Sequence, residues 1–366
     1  MQTRVFGRFG YQVSQLGFGA MRLPKREDGT VDFDRAVPLI RRAVELGVNY
    51  IDSHHFYHDG DSEVAIGRAI RGLRDRVYLQ TKTPMYREVE SEDVRWQWLE
   101  TALEKLGTDY IDCYLAHSMN WERFQTDFDP FMKLARKAKD QGMIRHIGFS
   151  FHDTAEALEK IINTEAFDCM TVQYNMINRS LEQPIALAHE KGMGVVIMGP
   201  VGGGSLAAPS EEIAKLLPQQ AKSSAEIALR FVLANPNVSV ALSGMSTMEQ
   251  LEENVAVADR EVILSAEDYV RIREALDEKK RLSELYCTGC EYCLPCPNGV
   301  DIPRNFTLMN LHRIFGVTET AKERYKRLVA REESAAQCQE CGECEPKCPQ
   351  RIPIVAQLEE VVEALG

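Results

Sequence analysis

Nowhere in the chain do about 18 apolar residues run consecutively, the length a membrane-spanning helix needs. A transmembrane helix is therefore not expected. The opening stretch MQTRVFGRFGYQ lacks the apolar core of a secretory signal. Basic residues are in deficit, with 43 Lys plus Arg against 55 Asp plus Glu and a formal net charge of -12. A nucleic-acid binder needs a basic face to meet phosphate, so no nucleic-acid partner is expected. Cysteine is scarce through most of the chain: only Cys113 and Cys169 occur in the first 286 residues. With no export signal expected, a disulfide framework is disfavoured and a cytoplasmic location is the expectation. The eight cysteines crowded between Cys287 and Cys348 then read as metal ligands. A G-x-G-x-x-G fingerprint is missing as well: Gly17 and Gly19 match, but Arg22 stands where the third glycine belongs.

What the chain does have is 366 residues, 44% of them hydrophobic, enough to bury a sizeable core in one large domain or two ordinary ones. Short apolar runs alternate with amphipathic stretches to about residue 280. Eight runs read as strands: Leu16–Ala20, Asn49–Asp52, Val77–Lys82, Ile111–His117, His146–Ser150, Cys169–Asn175, Gly194–Met198 and Ser239–Ser243. Several are continuously apolar, as strands covered on both faces should be. Helices are expected at Asp34–Leu46, ended by Gly47, and from Ser91 as N-cap to Gly107. Others are expected at Asp129–Gln141, Thr154–Asn163, Ser180–Lys191, Ser224–Asn235, Thr247–Arg260 and Ser265–Lys280. Eight strand–helix units in about 260 residues point to a (β/α)8 TIM barrel, with a doubly wound open sheet as the alternative. Val5–Phe9 and Tyr11–Leu16 are expected to form a hairpin plugging the barrel floor. Gly202-Gly203-Gly204 reads as a flexible loop rather than a phosphate cradle.

In such a barrel, catalytic groups sit at the C-terminal ends of strands. Asp52 ends one predicted strand, Lys82 the next and His117 the one after, and Tyr57 follows on a loop. Reducing a carbonyl needs a hydride at carbon and a proton at oxygen. Phenols have a pKa of about 10 and are reluctant acids at neutral pH. A lysine ammonium beside the phenol stabilises the phenolate, and a carboxylate keeps that lysine charged and oriented. A histidine can hydrogen-bond the carbonyl oxygen as charge develops. Each residue alone has a bland reading as a cap, a solvated cation or a core histidine; the joint placement is what singles them out. His54, His55 and His58 form a metal-like group on paper but read as ordinary loop residues. Met85, Tyr86 and Trp121 are candidates to line a substrate mouth. Trp96 and Trp98 cannot share one helix face.

The sequence resembles the aldo-keto reductase family. The resemblance is carried by Leu16-Gly17-Phe18-Gly19, Gly47-Val48-Asn49-Tyr50-Ile51-Asp52 with Tyr57, Thr81-Lys82, and Leu115-Ala116-His117. Further along it rests on Gly148-Phe149-Ser150, Val172-Gln173-Tyr174-Asn175 and Glu252-Glu253-Asn254. It implies a (β/α)8 barrel that binds NAD(P)H in extended form without a Rossmann motif. It also implies Tyr57 as general acid, Lys82 and Asp52 as its tuning pair, and His117 as the residue that orients the carbonyl. Ser150 and Gln173 match positions that grip the nicotinamide carboxamide. Met198, followed by Gly199, falls where an aromatic often stacks on nicotinamide; a flavin is the alternative occupant there. Glu253 and Asn254 match adenine contacts. Thr247 and Gln250 lie at the start of the helix after the last strand. Relatives that prefer NADPH carry basic residues at the places of Gly244 and Gln250, so the resemblance leans towards NADH or dual use.

The tail holds Cys338, Cys341, Cys344 and Cys348 in the bacterial ferredoxin spacing C-x2-C-x2-C-x3-C-P. Cys287, Cys290, Cys293 and Cys296 repeat it with one residue fewer before the last Cys-Pro. Two sets of four suggest two [4Fe-4S] clusters; four-thiolate zinc sites are the alternative. Resemblance to dicluster ferredoxins implies crossed ligation: Cys287, Cys290 and Cys293 with Cys348, and Cys338, Cys341 and Cys344 with Cys296. The 41 residues from Pro297 to Gln337 exceed a short hairpin, and Asn305–Phe315 and Glu319–Glu333 look helical. A mainly helical ferredoxin-like domain over residues 281–366 is therefore expected after a barrel over residues 1–280. Lys322, Arg324, Lys326, Arg327 and Arg331 make either a dock for an acidic redox partner or a solvated helix face. Together the halves imply an oxidoreductase acting on a small carbonyl or alcohol substrate, with iron–sulfur clusters for electron transfer. The alternative is a regulator that senses NAD(P)H and redox state through structural clusters. Cys113 and Cys169 are expected to be inert core thiols.

Overall fold

The computed structural model describes residues 1–85, 92–202, 206, 213, 215–216, 221–282, 287, 293–348 and 351–366. Ser91, Tyr86, Gly203, Gly204 and Cys290, each given a role above, lie outside the described residues.

A short antiparallel hairpin comes first, β1 (Thr3–Phe6) paired with β2 (Tyr11–Ser14). The barrel strands are β3 (Leu16–Gly19), β4 (Tyr50–Asp52), β5 (Tyr78–Pro84), β6 (Ile111–Met119), β7 (Ile144–Phe151), β8 (Cys169–Gln173), β9 (Gly194–Met198) and β10 (Val240–Ser243). All pair in parallel, and β10 closes on β3 to complete an eight-stranded barrel. The expected (β/α)8 barrel is therefore present. Its helices are α1 (Phe33–Glu45), α2 (Asp61–Ala69), α3 (Glu92–Leu106), α4 (Trp121–Asp140), α5 (Ala155–Asn163), α6 (Glu182–Glu190), α7 (Ser224–Ala234) and α8 (Met248–Ala258). They are followed by α9 (Ala266–Leu282), α10 (Ile302–Arg313), α11 (Thr318–Ala330) and α12 (Ile354–Leu365).

Local chemistry sets many of these boundaries. Gly47 ends α1 at φ 93°, a left-handed conformation that costs glycine little. Thr154 and Thr247 cap α5 and α8 by accepting from backbone N–H groups in the first turn. The expected Asp129 start of α4 is corrected. The helix begins eight residues earlier, at Trp121, because Asn120 accepts from Arg123 N, and Pro130 is carried inside it. The predicted strand to Asn175 stops at Gln173, since Asn175 instead forms a tight bridge with Asn178. Two helices, α2 and α12, were not anticipated.

Inside the barrel, successive strands present alternate residues to the centre. Phe6, Val13, Tyr50, Cys113, Leu115, Cys169, Val196, Val240 and Leu242 form one buried cluster there. The hairpin contributes Phe6 and Val13 to it, so it plugs the floor as expected, on shorter strands. Close approach explains two strand glycines. A Cβ on Gly194 would lie 2.3 Å from the Phe6 ring, and one on Gly148 would lie 2.5 Å from Cys169 Sγ. Cys113 and Cys169 are buried free thiols, and a hydrogen bond from Cys113 together with burial pushes the Cys169 thiol up.

The described residues divide into two compact units, Met1–Pro200 with Ala228–Leu264, and Val201–Ile227 with Ser265–Gly366. In the second unit, α10, α11 and α12 share a core that includes Phe306, Leu311, Tyr325, Leu328, Leu358 and Val361. Asn305 ties it together. Its buried amide donates to Asp301 O at 2.7 Å and Glu333 O at 3.0 Å, and accepts from Ala335 N at 2.8 Å. Of the basic residues on α11, Arg324 donates to Gly202 O and Arg327 pairs with Glu323. No helix among the described residues is long and apolar enough to cross a membrane.

Candidate active site

Asp52 ends β4 as expected, whereas β5 and β6 each run two residues past the expected ends, beyond Lys82 and His117; a short loop after β4 carries Tyr57. Lys82 Nζ lies 2.5 Å from Asp52 Oδ1 and donates to Ser53 O at 2.6 Å. It also hydrogen-bonds Tyr57 and sits 5.2 Å from the centre of that ring. Both members of the pair are buried, Lys82 to 2% exposure and Asp52 to 5%. Burial alone would lower the lysine pKa. The charges of Asp52 and Tyr57 and the hydrogen bonds they make outweigh it, and the net shift is upward. Lys82 is thus a firmly held cation beside a phenol.

His117 lies 6.4 Å from Tyr57 between ring centres, with the rings nearly perpendicular. Burial first, then Lys82, His152 and Arg123, push its pKa down to about 3. A neutral imidazole therefore faces the phenol at ordinary pH. The next residue, Ser118, adopts a left-handed backbone at φ 56°, and its N–H donates to Ser150 Oγ at 2.9 Å.

The loop carrying Tyr57 is built from strained and buried parts. His58 and Asp59 both have φ of 54°. Ser62 at the start of α2 shares a 2.7 Å hydrogen bond with Ser53. Glu63, fully buried, accepts from Thr81 Oγ1 at 2.6 Å, and one of its oxygens lies 3.8 Å from His55 Nδ1. The helix after the loop is thereby fastened to the two strands that bear Asp52 and Lys82. The three loop histidines turn to different neighbours. His54 packs on His117 with ring centres 4.0 Å apart, His55 packs on Trp98 at 5.7 Å, and burial followed by Lys25 lowers the His58 pKa. Trp98 thus faces this loop, while Trp96 meets Glu100 and Lys137 on another side of α3. Met85 is buried at the end of β5, and Trp121 is half-buried against Phe124.

The expected cofactor residues cluster at the same barrel end. Ser150 is buried near the end of β7, Gln173 is exposed at the end of β8, and Met198 is half-buried at the end of β9. Gly199 has φ of 65°, its carbonyl accepts from Asn175 Nδ2, and a Cβ there would lie 3.9 Å from Gln173 Cγ. Hydroxyl, amide and open backbone side by side suit a nicotinamide carboxamide. After β10, Thr247 caps α8 by accepting from Gln250 N, and Gln250 Oε1 accepts from Ser246 N, so this helix N-terminus is held by its own side chains. Asn254 donates to Ser243 Oγ, and Glu253 is exposed on α8. Sequence reasoning treated Arg22 only as a broken glycine motif. Its stem crosses Gly244, where a Cβ would lie 3.1 Å from Arg22 Cβ and Cγ, and Ser246 Oγ donates to its carbonyl. Gln80 and Glu63 were also missed. A buried amide or carboxyl inside regular structure carries no motif, although Gln80 shares the strand face of Lys82.

In the second unit, Cys293, Cys296, Cys338, Cys341 and Cys344 line one small cavity closed by Ile302, Val355 and Leu358. Asn298 Nδ2 lies 3.9 Å from Cys341 Sγ. Several thiols around one apolar cavity are the donor set an iron–sulfur cluster takes. Cys293 and Cys296, from the first run, are grouped there with three cysteines of the second. Cys287 and Cys348 are half-buried.

Comparison with known proteins accords with this geometry. Residues 15–277 match the aldo/keto reductase family and residues 286–352 match a 4Fe-4S dicluster domain. L-galactose dehydrogenase of Arabidopsis thaliana is 29% identical over 287 residues, covering 70% of this chain and 88% of the relative. An aldo-keto reductase of Bacillus halodurans in its holo form superposes with a TM-score of 0.64 at 27% identity, over 75% of this chain and 96% of that one. An aldo/keto reductase of Klebsiella pneumoniae in complex with NADP and acetate gives 0.62 at 25% identity, over 75% of this chain and 94% of that one.

Proposed function

The chain belongs to the aldo/keto reductase family, and on that premise we propose that its barrel reduces a small aldehyde or ketone, or oxidises the corresponding alcohol, with NAD(P)H. The observation that carries this reading is the buried Lys82 cation, 2.5 Å from Asp52 and hydrogen-bonded to Tyr57, with a neutral His117 opposite.

Bound nicotinamide supplies the hydride that the carbonyl carbon accepts. The chain supplies the rest. Neutral His117 donates a hydrogen bond to the carbonyl oxygen and fixes its direction. Tyr57 gives its phenolic proton to that oxygen as negative charge builds. Lys82 stabilises the phenolate left behind, and Asp52 keeps Lys82 charged in a site that excludes water. In the alcohol direction the phenolate takes the proton back. Ser150, Gln173, Met198 and Gly199 would hold the nicotinamide end. Thr247, Gln250, Glu253 and Asn254 would hold the adenosine end, beside which the Arg22 stem crosses Gly244. With no basic side chain at positions 244 and 250, the reading leans towards NADH or dual use.

The domain over residues 281–366 is proposed to carry two [4Fe-4S] clusters, Cys287, Cys290, Cys293 and Cys348 holding one and Cys296, Cys338, Cys341 and Cys344 the other. Such clusters pass electrons singly, which suits exchange with a redox protein partner. A cytoplasmic location fits eight reduced thiolates.

The test is turnover of an aldehyde and ketone panel by anaerobically purified full-length protein and by Tyr57→Phe. Loss of the general acid should lower kcat by about 10²–10⁴-fold and leave nucleotide affinity unchanged. Tight nucleotide binding with no turnover of any substrate in either direction would end the enzyme reading.

A further inference from the structure

Beneath the Asp52–Lys82 pair the barrel centre is polar where apolar residues would fill it. Tyr50, Gln80 and Thr171 are buried to 0%, 2% and 1% exposure, among Cys113, Leu115, Cys169 and Val196. A primary amide in such a place costs free energy unless every polar atom is satisfied. Gln80 satisfies them all. Its Nε2 donates to Asp52 Oδ1 at 2.5 Å and to Thr171 Oγ1 at 3.0 Å. Its Oε1 accepts from the Tyr50 hydroxyl at 2.7 Å. The amide has one workable orientation. Turned over, its oxygen would face a carboxylate oxygen at the 2.5 Å now spanned by a donor, whereas the Tyr50 and Thr171 hydroxyls can each donate or accept; Asp52 is what fixes the orientation.

Register explains how the amide gets there. Gln80 precedes Lys82 by two residues on β5, so both project from one face of the strand. Gln80 also pairs directly with Asp52 across β4 and β5. Asp52 Oδ1 consequently receives two donors at 2.5 Å, one charged and one neutral.

We propose that Gln80, braced from below by Tyr50, is a positioning residue for the proton-donating site. It fixes the Asp52 carboxylate and shares its charge, and so sets how much of the Lys82 charge reaches Tyr57. The proposal rests on the reading of Tyr57 as general acid. Without the amide donor, the whole carboxylate charge falls on Lys82. The ammonium then supports the phenolate less, and Tyr57 becomes a weaker acid.

The experiment compares full-length wild type, Tyr57→Phe, Gln80→Met and Tyr50→Phe under anaerobic conditions, reading kcat, KM and the alkaline limb of kcat for carbonyl reduction. Gln80→Met keeps chain length and removes only the amide. It should lower kcat by about 10–100-fold, the range for losing a hydrogen bond to a charged group. It should also move the alkaline limb upward and leave nucleotide KM within about twofold, since no nucleotide contact is touched. Tyr50→Phe removes the hydroxyl that braces the amide oxygen and loosens the amide against Asp52, giving a smaller shift in the same direction. The double variant should be no worse than Gln80→Met alone, as residues acting through one contact are not additive. If Gln80→Met does not fold, the Tyr50→Phe limb decides by itself. With Tyr57→Phe inactive, an unmoved alkaline limb in both variants overturns the positioning role alone, because damaged packing would lower kcat without moving the limb. Full activity in Tyr57→Phe overturns the general-acid reading and this proposal with it.

Discussion

Replacing Asp52 by Asn should reverse the sign with which barrel stability depends on pH near the alkaline end. The side chains are nearly isosteric, so the change removes a charge and little else. Lys82, 2% exposed, would keep its bond to Ser53 O and lose its counter-ion. Breaking one side of a buried ion pair costs about 3–5 kcal/mol, and that loss is expected at pH 7. The pH dependence is the sharper readout. In the wild type the folded lysine pKa is raised, so the folded state holds its proton longer than the unfolded chain. That contribution is complete below the unfolded value of about 10.4 and is lost as pH rises through the folded value. In Asp52→Asn, burial dominates and the folded value falls below the unfolded one. The unfolded chain then binds the extra proton, and stability rises with pH in the window below about 10.4. Most of the initial deficit should therefore return by about pH 10. Anaerobic urea unfolding followed by tryptophan fluorescence suits the measurement, because Trp96, Trp98 and Trp121 all lie on α3 and α4 of the barrel. The quantity to follow is variant minus wild type, which cancels the ionisation of shared tyrosines and thiols. A difference that stays constant or widens from pH 7 to pH 10 would refute the reasoning.

Three further outcomes are expected. His117, held down to about 3, should stay neutral through the mildly acidic range. Its contribution to stability is then complete above the unfolded value of about 6.5 and is lost as pH falls towards 3; an acid limb of kcat/KM near 6.5 that disappears in His117→Asn would contradict this. Gly148→Ala should destabilise the barrel by about 1–3 kcal/mol in urea, since its Cβ would meet Cys169 Sγ at 2.5 Å and Cys169 O at 2.6 Å. Adding Cys169→Ala should recover only part of that, because the carbonyl remains. Cys296→Ser should roughly halve iron and acid-labile sulfide per chain if two clusters are present and this thiolate holds one of them; full iron content would exclude it as a ligand.

Much of the barrel could be read from the chain because parallel strands buried on both faces become unbroken apolar runs. Gly194–Met198 was placed to the residue for that reason. Helix α2 was invisible for the opposite reason. It buries Ser62 and Glu63 and packs through Gly67, where a Cβ would lie 2.3 Å from Lys105 O, so polar residues and a nominal helix breaker face inward. In α12 the signal was available, with Ile354, Leu358, Val361 and Leu365 at helical spacing and all buried. Strand-end parity was enough to nominate Asp52, Lys82 and His117. Their long-range neighbours were beyond it: Gln80 meets Asp52 and Thr171 only once the barrel closes, just as Arg22 meets Ser246 across more than two hundred residues of sequence.

The plugged floor has a further consequence. The buried polar column descends from Lys82 through Asp52 and Gln80 to Tyr50, and there it meets the Phe6 ring, 5.5 Å away between centres. Below Tyr50 the line continues only into thiols, to Cys113 and from it to Cys169, packed among Val13, Val196, Val240 and Leu242. The hydrogen bond from Cys113 and burial push the Cys169 thiol up, so the foot of the column is a poor source of protons. If Tyr57 is the general acid, as proposed, its proton is expected to return through the barrel mouth, the opening that a substrate also uses.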